Sequence, residues 1–273
     1  MTGVDISHYQ AGLTIEKLRA AGKDFAIIKI TEGTWLKDAA AFGFYLEAYE
    51  SEFPVGGYCY SHALTPEDAR NEAHFLLDYI KGFPMPCGLF LDMEEAKQLA
   101  LAKEQLMAIA AAWCKEISVA GYLPGIYSSE YSVWSKISPN EVQDGCLIWV
   151  AHYGKQPDIP CDLWQSSDTG RIDGFSGNVD TDSVRSDRFK TLVETGHAEI
   201  AYHKRKLSGD TEPESTAEQR PPDACPIGKA DPVIMSMQMI MSYAGYWLNE
   251  ADGLASPDFF EAARTLLNDL EKG

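Results

Sequence analysis

The stretch "GLFLDMEEA", residues 88–96, is an apolar run that ends in acidic residues. Its apolar part, residues 89–91, is typical of a strand that is buried on both faces. Asp92 and Glu94 follow two positions apart, so on a strand they point the same way, with Cα atoms about 6.6 Å apart. The stretch therefore predicts a buried strand with two neighbouring carboxyl groups at its end.

Seven further runs of this kind lie along the chain and indicate the fold class. Helical periodicity separates the first five runs, and one helical segment opens on Thr65 and Pro66, an N-cap followed by proline at the first helical position. The last three runs follow one another too closely for full helices. Five strand–helix units and then three bare strands predict an α/β fold, an irregular TIM-like barrel with a mostly parallel sheet whose last strands can pair differently. The runs are "GVDIS" (3–7), "FAIIKITEG" (25–33), "VGGYCYSHA" (55–63), "GLFLDMEE" (88–95), "LPGIYSS" (123–129), "CLIWVAHY" (146–153), "CDLWQSS" (161–167) and "GNVDTDSV" (177–184).

Length and composition narrow the class of protein. The chain has 273 residues, 45% of them hydrophobic, which is enough for one large domain or for one domain and a small appendage. A formal net charge of −18 argues against a nucleic-acid partner. No apolar run reaches the 18 residues of a membrane span, and the N-terminus lacks the basic and apolar regions of a signal peptide. We therefore expect a protein made in the cytoplasm that needs a separate release step if it acts on the outside.

The cysteines predict core packing. The six residues form no CxxC pair, and most stand next to or inside apolar runs, so we interpret them as reduced core side chains and not as a disulfide framework or a zinc site. They are Cys59, Cys87, Cys114, Cys146, Cys161 and Cys225.

The strand ends collect acidic and aromatic residues. In barrels of this kind the chemistry sits at the C-terminal ends of the strands. Two partly buried carboxyl groups as close as Asp92 and Glu94 resist ionising together, so one should keep its proton near neutral pH. A protonated acid beside an ionised one, ringed by aromatic side chains, is suited to cleaving a glycosidic bond. The residues at the strand ends are Asp5, Glu32, Tyr58, Asp92, Glu94, Tyr127, Trp149, Tyr153, Trp164, Asp180 and Asp182.

These motifs, in this order, resemble glycoside hydrolase family 25, the lysozymes often found as phage endolysins. The matching pieces begin at "GVDISHYQ" and end at "NVDTDSV", and they cover residues 3 to about 190. The resemblance implies an N-acetylmuramidase that cuts the β-1,4 bond between N-acetylmuramic acid and N-acetylglucosamine in bacterial cell-wall peptidoglycan. It also implies a barrel with five helices and eight strands, and we expect no cofactor and no metal.

The resemblance also assigns roles to single residues. Glu94 matches the family's proton donor, Asp92 its partner on the same strand, and Asp5 the acid of the first strand. Asp180 matches the acid of the last strand, whereas Asp182 falls where the family often has asparagine, so it is open which of the two lines the cleft. The residues expected to bind substrate are Asp180, Asp182, Glu32, Tyr58, Tyr127, Trp149, Tyr153, Trp164 and Gln165.

One position departs from the family pattern. Cys59 stands where the family usually has histidine, which affects one contact behind the acids and not the acids themselves. For the nearby His62 and His152 we expect hydrogen-bonding or core roles and not catalysis.

Two mechanisms fit the acids. In both, Glu94 protonates the leaving oxygen. Water activated by Asp5 or Asp180 could then attack with inversion. Alternatively, the 2-acetamido oxygen of the substrate attacks while Asp92 orients it, which gives retention and is the route that we favour.

The C-terminal part of the chain has a different composition. We expect the catalytic barrel in residues 1–195, a polar linker rich in Pro, Glu and Ser in 196–230, and a small helical module in 231–273. "AGYWLNEADGLASPDFFEAA" in this last segment resembles the type 1 peptidoglycan-binding module. Its methionine-rich first helix could instead mediate self-association.

Three other functions remain to be weighed. A carbohydrate-binding protein without turnover has no need of four acids together. A metal-dependent hydrolase would leave the aromatic residues unexplained, and the acid cluster lacks a histidine at ligand spacing. A bacterial autolysin of the same family would carry the same site, although the missing signal peptide favours a phage endolysin.

Overall fold

A computed structural model gives the fold of the protein and describes residues 1–80, 82–142 and 145–208. The strands are β1 (Thr2–Ile6), β2 (Phe25–Glu32), β3 (Leu36–Lys37), β4 (Val55–Tyr60), β5 (Leu89–Asp92), β6 (Pro124–Ser129), β7 (Leu147–Ala151), β8 (Leu163–Gly170) and β9 (Val179–Val184). The α-helices are α1 (Ile15–Ala20), α2 (Ala41–Glu50), α3 (Pro66–Ile80), α4 (Ala96–Leu99), α5 (Lys103–Val119) and α6 (Asp187–Ser208).

Eight of these strands close into a barrel, which confirms the predicted fold class. The sheet runs β1-β9-β8-β7-β6-β5-β4-β2, and β1 pairs with β2 to close it. The short β3 adds a hairpin to β2. Pairing is parallel from β1 through β2, β4, β5, β6 and β7 to β8, whereas β9 is antiparallel to both β8 and β1. The N-terminal end of β9 therefore lies beside the C-terminal ends of the other strands.

The helices follow from local sequence signals. At the start of α3, the Thr65 hydroxyl accepts a hydrogen bond from the Asp68 amide at 3.2 Å, and the Asp68 carboxylate accepts one from the Thr65 amide at 2.9 Å. This confirms the predicted helix start at Pro66. The family resemblance implied five helices, and the described residues contain six α-helices, of which α4 has only four residues.

The last helix extends into the segment predicted as a linker. The predicted linker begins at residue 196, but α6 continues to Ser208, so residues 196–208 are helical. Phe189 and Val193 lie one helical turn apart and are both buried, which anchors the first half of this helix. The rest of the predicted linker and the whole predicted module, residues 209–273, lie outside the described residues, as does Cys225.

The barrel interior forms the floor of the site. Phe25, Phe90 and Trp149 are completely or almost completely buried and belong to one core cluster with Tyr127 and Leu163. The rings of Phe90 and Trp149 meet edge to face at 5.2 Å. A tightly packed floor of this kind fixes the side chains that stand above it.

Two further predictions concern the cysteines and membranes. Cys59, Cys87, Cys114 and Cys146 are buried free thiols, as predicted. Cys161 is also a free thiol but is partly exposed. Among the described residues, none of the helices is long and apolar enough to cross a membrane.

Candidate active site

The two acids that follow the β5 strand stand at the barrel mouth. Asp92 is the last residue of β5 and is only 5% exposed, while Glu94 lies two residues beyond the strand and is exposed. Burial raises the pKa of Asp92 well above its ordinary value, and the neighbouring Glu94 raises it further. The residue as a whole is exposed, but partial burial of its carboxyl group raises the pKa of Glu94, and the charge of Asp180 raises it further. Both groups therefore hold protons to a higher pH than free carboxyl groups do.

One oxygen of Asp92 lacks a hydrogen-bond partner. Asp92 Oδ1 is buried, and among the described residues nothing donates to it. A buried carboxylate oxygen without a donor is costly, so this atom is suited to accept a hydrogen bond from a bound molecule.

Asp5 sits at the centre of a hydrogen-bond network. Its Oδ2 accepts from the Gln165 side-chain amide at 2.8 Å. The Gln165 oxygen in turn accepts from the hydroxyls of Tyr127 at 2.8 Å and Tyr153 at 2.9 Å. Burial raises the pKa of Asp5 well above its ordinary value, followed by the charges of Asp182 and Asp180. Gln165 therefore positions Asp5 and two tyrosines at once, and with only 2% of its surface exposed it lies beneath the cleft surface.

The structure separates the two acids of β9 by depth. Asp180 pairs in register with Asp5 at the barrel mouth and is partly exposed, whereas Asp182 pairs with Gly3 and is 1% exposed. The indole of Trp149 donates to Asp182 Oδ1 at 2.9 Å. Burial raises the pKa of Asp182 to about 8 and that of Asp180 to about 6. Asp180 thus lies where a substrate can reach it, and Asp182 lies underneath as a supporting group.

A buried lysine that the sequence reasoning missed lies among these acids. Lys29 is on β2, two positions after the core residue Ile27, so its side chain points to the same face of the strand. Its ammonium group donates to Glu32 Oε2 at 2.7 Å. Its charge lowers the pKa of Asp92 and of Glu94, against the upward effect of burial. The available signal was a single lysine inside the apolar run "FAIIKITEG", in phase with the inward positions.

Glu32, a predicted substrate-binding residue, is at the same end of the barrel. Its Oε1 lies 3.2 Å from His62 Nε2, and its other oxygen binds Lys29. The hydrogen bonds from Lys29 and His62 outweigh partial burial and leave the pKa of Glu32 below its ordinary value. Glu32 and Asp92 are both in register with Tyr60 on β4, a second residue that the sequence reasoning missed.

The aromatic residues predicted to line the cleft lie at different depths. Tyr58 is partly exposed and Tyr153 is exposed, and Tyr127 is buried with its hydroxyl donating to Gln165. Trp149 is 1% exposed and packs 4.4 Å from the Tyr127 ring, so in this structure it lies below the surface of the cleft. Its predicted contact with substrate stays a prediction.

Trp164 lies on the other side of the sheet. Gln165 points into the barrel, and consecutive strand residues point to opposite faces, so Trp164 faces outward. Its indole donates to the carbonyl of His152 at 2.7 Å, and the guanidinium of Arg185 lies 5.8 Å from its ring. The structure therefore places Trp164 on the face of β8 opposite to Gln165, and its predicted role in the cleft stays a prediction.

The two histidines near the site make hydrogen bonds. His62 contacts Glu32 and its backbone amide donates to Glu72 at 2.8 Å, whereas His152 is paired with Glu130. Cys59 is completely buried, and burial raises the pKa of its thiol. These positions fit hydrogen-bonding and core roles.

The site as a whole gathers acids of different depth in one cleft. Asp92 and Glu94 of the β5 end, Asp5 of β1 and Asp180 of β9 influence one another electrostatically. A raised pKa on an exposed acid at the mouth is what general acid catalysis near neutral pH requires. Among the described residues, no group of three histidine, cysteine or acidic side chains has the geometry to hold a metal ion.

The chain is similar to known proteins in sequence and in fold. Residues 4–175 match the family described as "Glycosyl hydrolases family 25". The chain is 26% identical over 185 residues to an autolytic lysozyme of Clostridium acetobutylicum. The aligned region covers 67% of this chain and 55% of the length of that relative. It is 27% identical over 208 residues to lysozyme M1 of Streptomyces globisporus, with 70% of each chain covered. The catalytic domain of endolysin ply40, from bacteriophage P40 of Listeria monocytogenes, superposes with a TM-score of 0.62 at 27% identity, covering 71% of this chain and 97% of that domain.

Proposed function

Because the chain belongs to the glycosyl hydrolases of family 25, we propose that it is a peptidoglycan hydrolase that cleaves the β-1,4 bond between N-acetylmuramic acid and N-acetylglucosamine. The observation that carries the proposal is the pair Asp92 and Glu94 at the end of β5, with the pKa of both carboxyl groups raised. An endolysin and an autolysin would both use this chemistry, and similar proteins of both kinds exist.

Glu94 is the proposed general acid. Its exposed position lets its carboxyl group reach the leaving oxygen, and its raised pKa keeps the proton in place until the bond breaks. Asp180 across the cleft contributes to that raised pKa. The proton passes to the glycosidic oxygen as the bond breaks, and that oxygen becomes a hydroxyl group of the leaving sugar.

Asp92 is the proposed partner that positions the nucleophile. In the substrate-assisted route, the 2-acetamido oxygen of the substrate attacks the anomeric carbon, and the departing sugar takes the proton of Glu94. Asp92 Oδ1 is buried and lacks a donor among the described residues, so it is placed to accept the acetamido N–H. The nearby charge of Lys29 favours the ionised form that this role needs.

Asp5 and Asp180 are the proposed residues around the reacting sugar. Gln165 holds Asp5 in one orientation, so Asp5 can hydrogen-bond the sugar or the water that later opens the cyclic intermediate. Direct attack on the anomeric carbon by a water molecule that Asp5 or Asp180 deprotonates would instead give inversion. The anomeric configuration of the first product distinguishes the two routes.

The test is the chemical identity of the reducing ends released from purified peptidoglycan. Digestion, borohydride reduction and mass spectrometry should reveal reduced muramic acid ends, in equal yield with and without a chelator. Reduced glucosamine ends, free amino groups or no cleavage would contradict the proposal, and loss of activity with the chelator would favour a metal-dependent hydrolase. A Glu95→Gln variant, next to the proposed acid, is the matched control and should keep its activity.

We also propose that residues 209–273 contain a linker and a wall-binding module that holds the enzyme on its substrate. The charge of −18 argues against a nucleic-acid partner, and self-association through the methionine-rich segment is the alternative role of this module. Sedimentation of the full chain with and without purified walls separates the two roles.

A further inference from the structure

The turn between β2 and β3 carries an exposed tryptophan. Trp35 is 63% exposed, among the largest exposed fractions of any large hydrophobic side chain in the described residues. Glu32 pairs with Leu36 across the hairpin, so Trp35 sits in a turn of only three residues. A large apolar ring in water at this position buries little surface and therefore stabilises the fold little.

The ring of Trp35 is nevertheless held in place. Gly33 has a φ of +53°, and a Cβ atom there would lie 2.2 Å from the indole ring, so the ring rests directly on the Gly33 backbone. The Gly33 amide donates to the carbonyl of Tyr60 at 2.9 Å, which ties the turn to β4. The ring of His62 lies 4.8 Å from that of Trp35. A side chain held on one side and open on the other forms a preorganised surface.

The neighbours of Trp35 connect it to the acids. His62 Nε2 contacts Glu32, and Glu32 binds Lys29, whose charge acts on Asp92 and Glu94. The His62 backbone is itself anchored by Glu72, which is buried and also bonded to Ser61. Glu32 and Asp92 are two strand spacings apart, roughly 10 Å between Cα atoms. Trp35 therefore lies at the same end of the barrel as the acids but outside direct reach of the bond that they cut.

We propose that Trp35 and His62 form a subsite that binds a pyranose ring of the glycan strand beyond the two sugars that flank the cleaved bond. This inference rests on the proposed function. The axial C–H groups of a pyranose carry partial positive charge and stack on the negative face of an indole, as aromatic edges do. The carboxylate of Glu32 and the imidazole of His62 lie beside the ring and can hydrogen-bond the sugar hydroxyls. The Trp35 subsite would then add binding energy at a distance from the reacting bond.

The experiment uses peptide-free glycan strands of defined length, built from N-acetylglucosamine and N-acetylmuramic acid repeats. Trp35→Ala should raise KM about tenfold for the longest strands, with kcat unchanged, and should have no effect on the shortest strand that is still cleaved. Trp35→Phe should restore most of the lost affinity, because it keeps an aromatic face. Tyr131→Ala is the matched control, since Tyr131 is 71% exposed on another loop, and its KM should match the wild type at every length.

A second readout is independent of turnover. In the Glu94→Gln background, the longest strands should change the intrinsic tryptophan fluorescence, and adding Trp35→Phe should abolish most of that change. Equal KM values for wild type and Trp35→Ala at all lengths would overturn the subsite, as would a rise in Tyr131→Ala with the same length dependence. Absence of muramic acid ends in wild-type digests would instead overturn the proposed function, and the fluorescence titration would still decide whether glycan binds at Trp35.

Discussion

Replacing Lys29 by methionine tests how the site sets its protonation states. Lys29 is the buried cation that the acids share, and methionine keeps its length and fills the same space without charge. Without the cation, Asp92 should stay protonated to a higher pH, so the acid limb of the pH–rate profile should move up. Glu94 should also keep its proton to a higher pH, so the basic limb should move up as well. The whole profile is expected to shift towards alkaline pH.

The same substitution should reduce stability by a moderate amount. Removing one partner of a fully buried ion pair costs about 3–5 kcal/mol, because the other charge remains buried without a partner. The pair here joins side chains that are 8% and 29% exposed, and Glu32 keeps His62, so we expect about 1–3 kcal/mol. At roughly 2–4 °C per kcal/mol, the melting temperature should fall by about 2–12 °C.

The assay measures kcat/KM on soluble glycan strands from acid to alkaline pH, together with thermal unfolding of each variant. Lys29→Arg is the control, because it keeps the charge and should leave both limbs near their wild-type positions. A folded Lys29→Met variant with both limbs unmoved would refute the role assigned to Lys29. An equal shift in Lys29→Arg would also refute it, since the charge would then not be the cause.

Four further outcomes are expected. Glu94→Gln should lower kcat by about 10² to 10⁴-fold while wall binding survives, and near wild-type turnover would exclude Glu94 as the acid. Asp180→Asn should move the basic limb to lower pH, because Asp180 raises the pKa of Glu94; an unmoved limb would contradict that coupling. Asp182 has a folded-state pKa of about 8, above its ordinary value. Between about pH 4 and pH 8 the carboxyl group ionises in the unfolded chain but not in the folded one, so the folded state loses stability as the pH rises through this range. Asp182→Asn should therefore stabilise the protein by roughly 1–3 kcal/mol at pH 8 and by less at pH 4 in denaturant unfolding, and a pH-independent difference would argue against the raised pKa. A chain ending at Ser208 should cleave soluble strands but act poorly on intact walls, because a tethered second site raises the effective concentration; aggregation of that chain would contradict the proposed domains.

Much of the fold was readable because its signals are local. Apolar runs that end in acids or aromatics marked the strands, and the spacing of the last three runs indicated where helices are missing. Thr65 and Pro66 marked the start of α3 for the same reason, since a cap acts only within its own turn. Helix α6 was not predicted, because a polar, charged segment can form a helix and composition alone does not distinguish it from a linker.

The sequence by itself placed Asp5, Glu32, Asp92 and Glu94 within two residues of the C-terminal ends of their strands, and therefore near the mouth of the barrel. Asp180 lies near the N-terminal end of β9 and reaches the mouth only because β9 is antiparallel to its neighbours. Only the tertiary structure decided how deep each lies and which way it points. Trp164 faces outward because its neighbour Gln165 faces in, and Asp182 lies below Asp180 because β9 runs against its neighbours. Lys29 became part of the site only when β2 closed against β4 and brought its charge to acids on β5. Depth and direction depend on strand register and pairing, which join residues far apart in the chain, and a local pattern does not specify them.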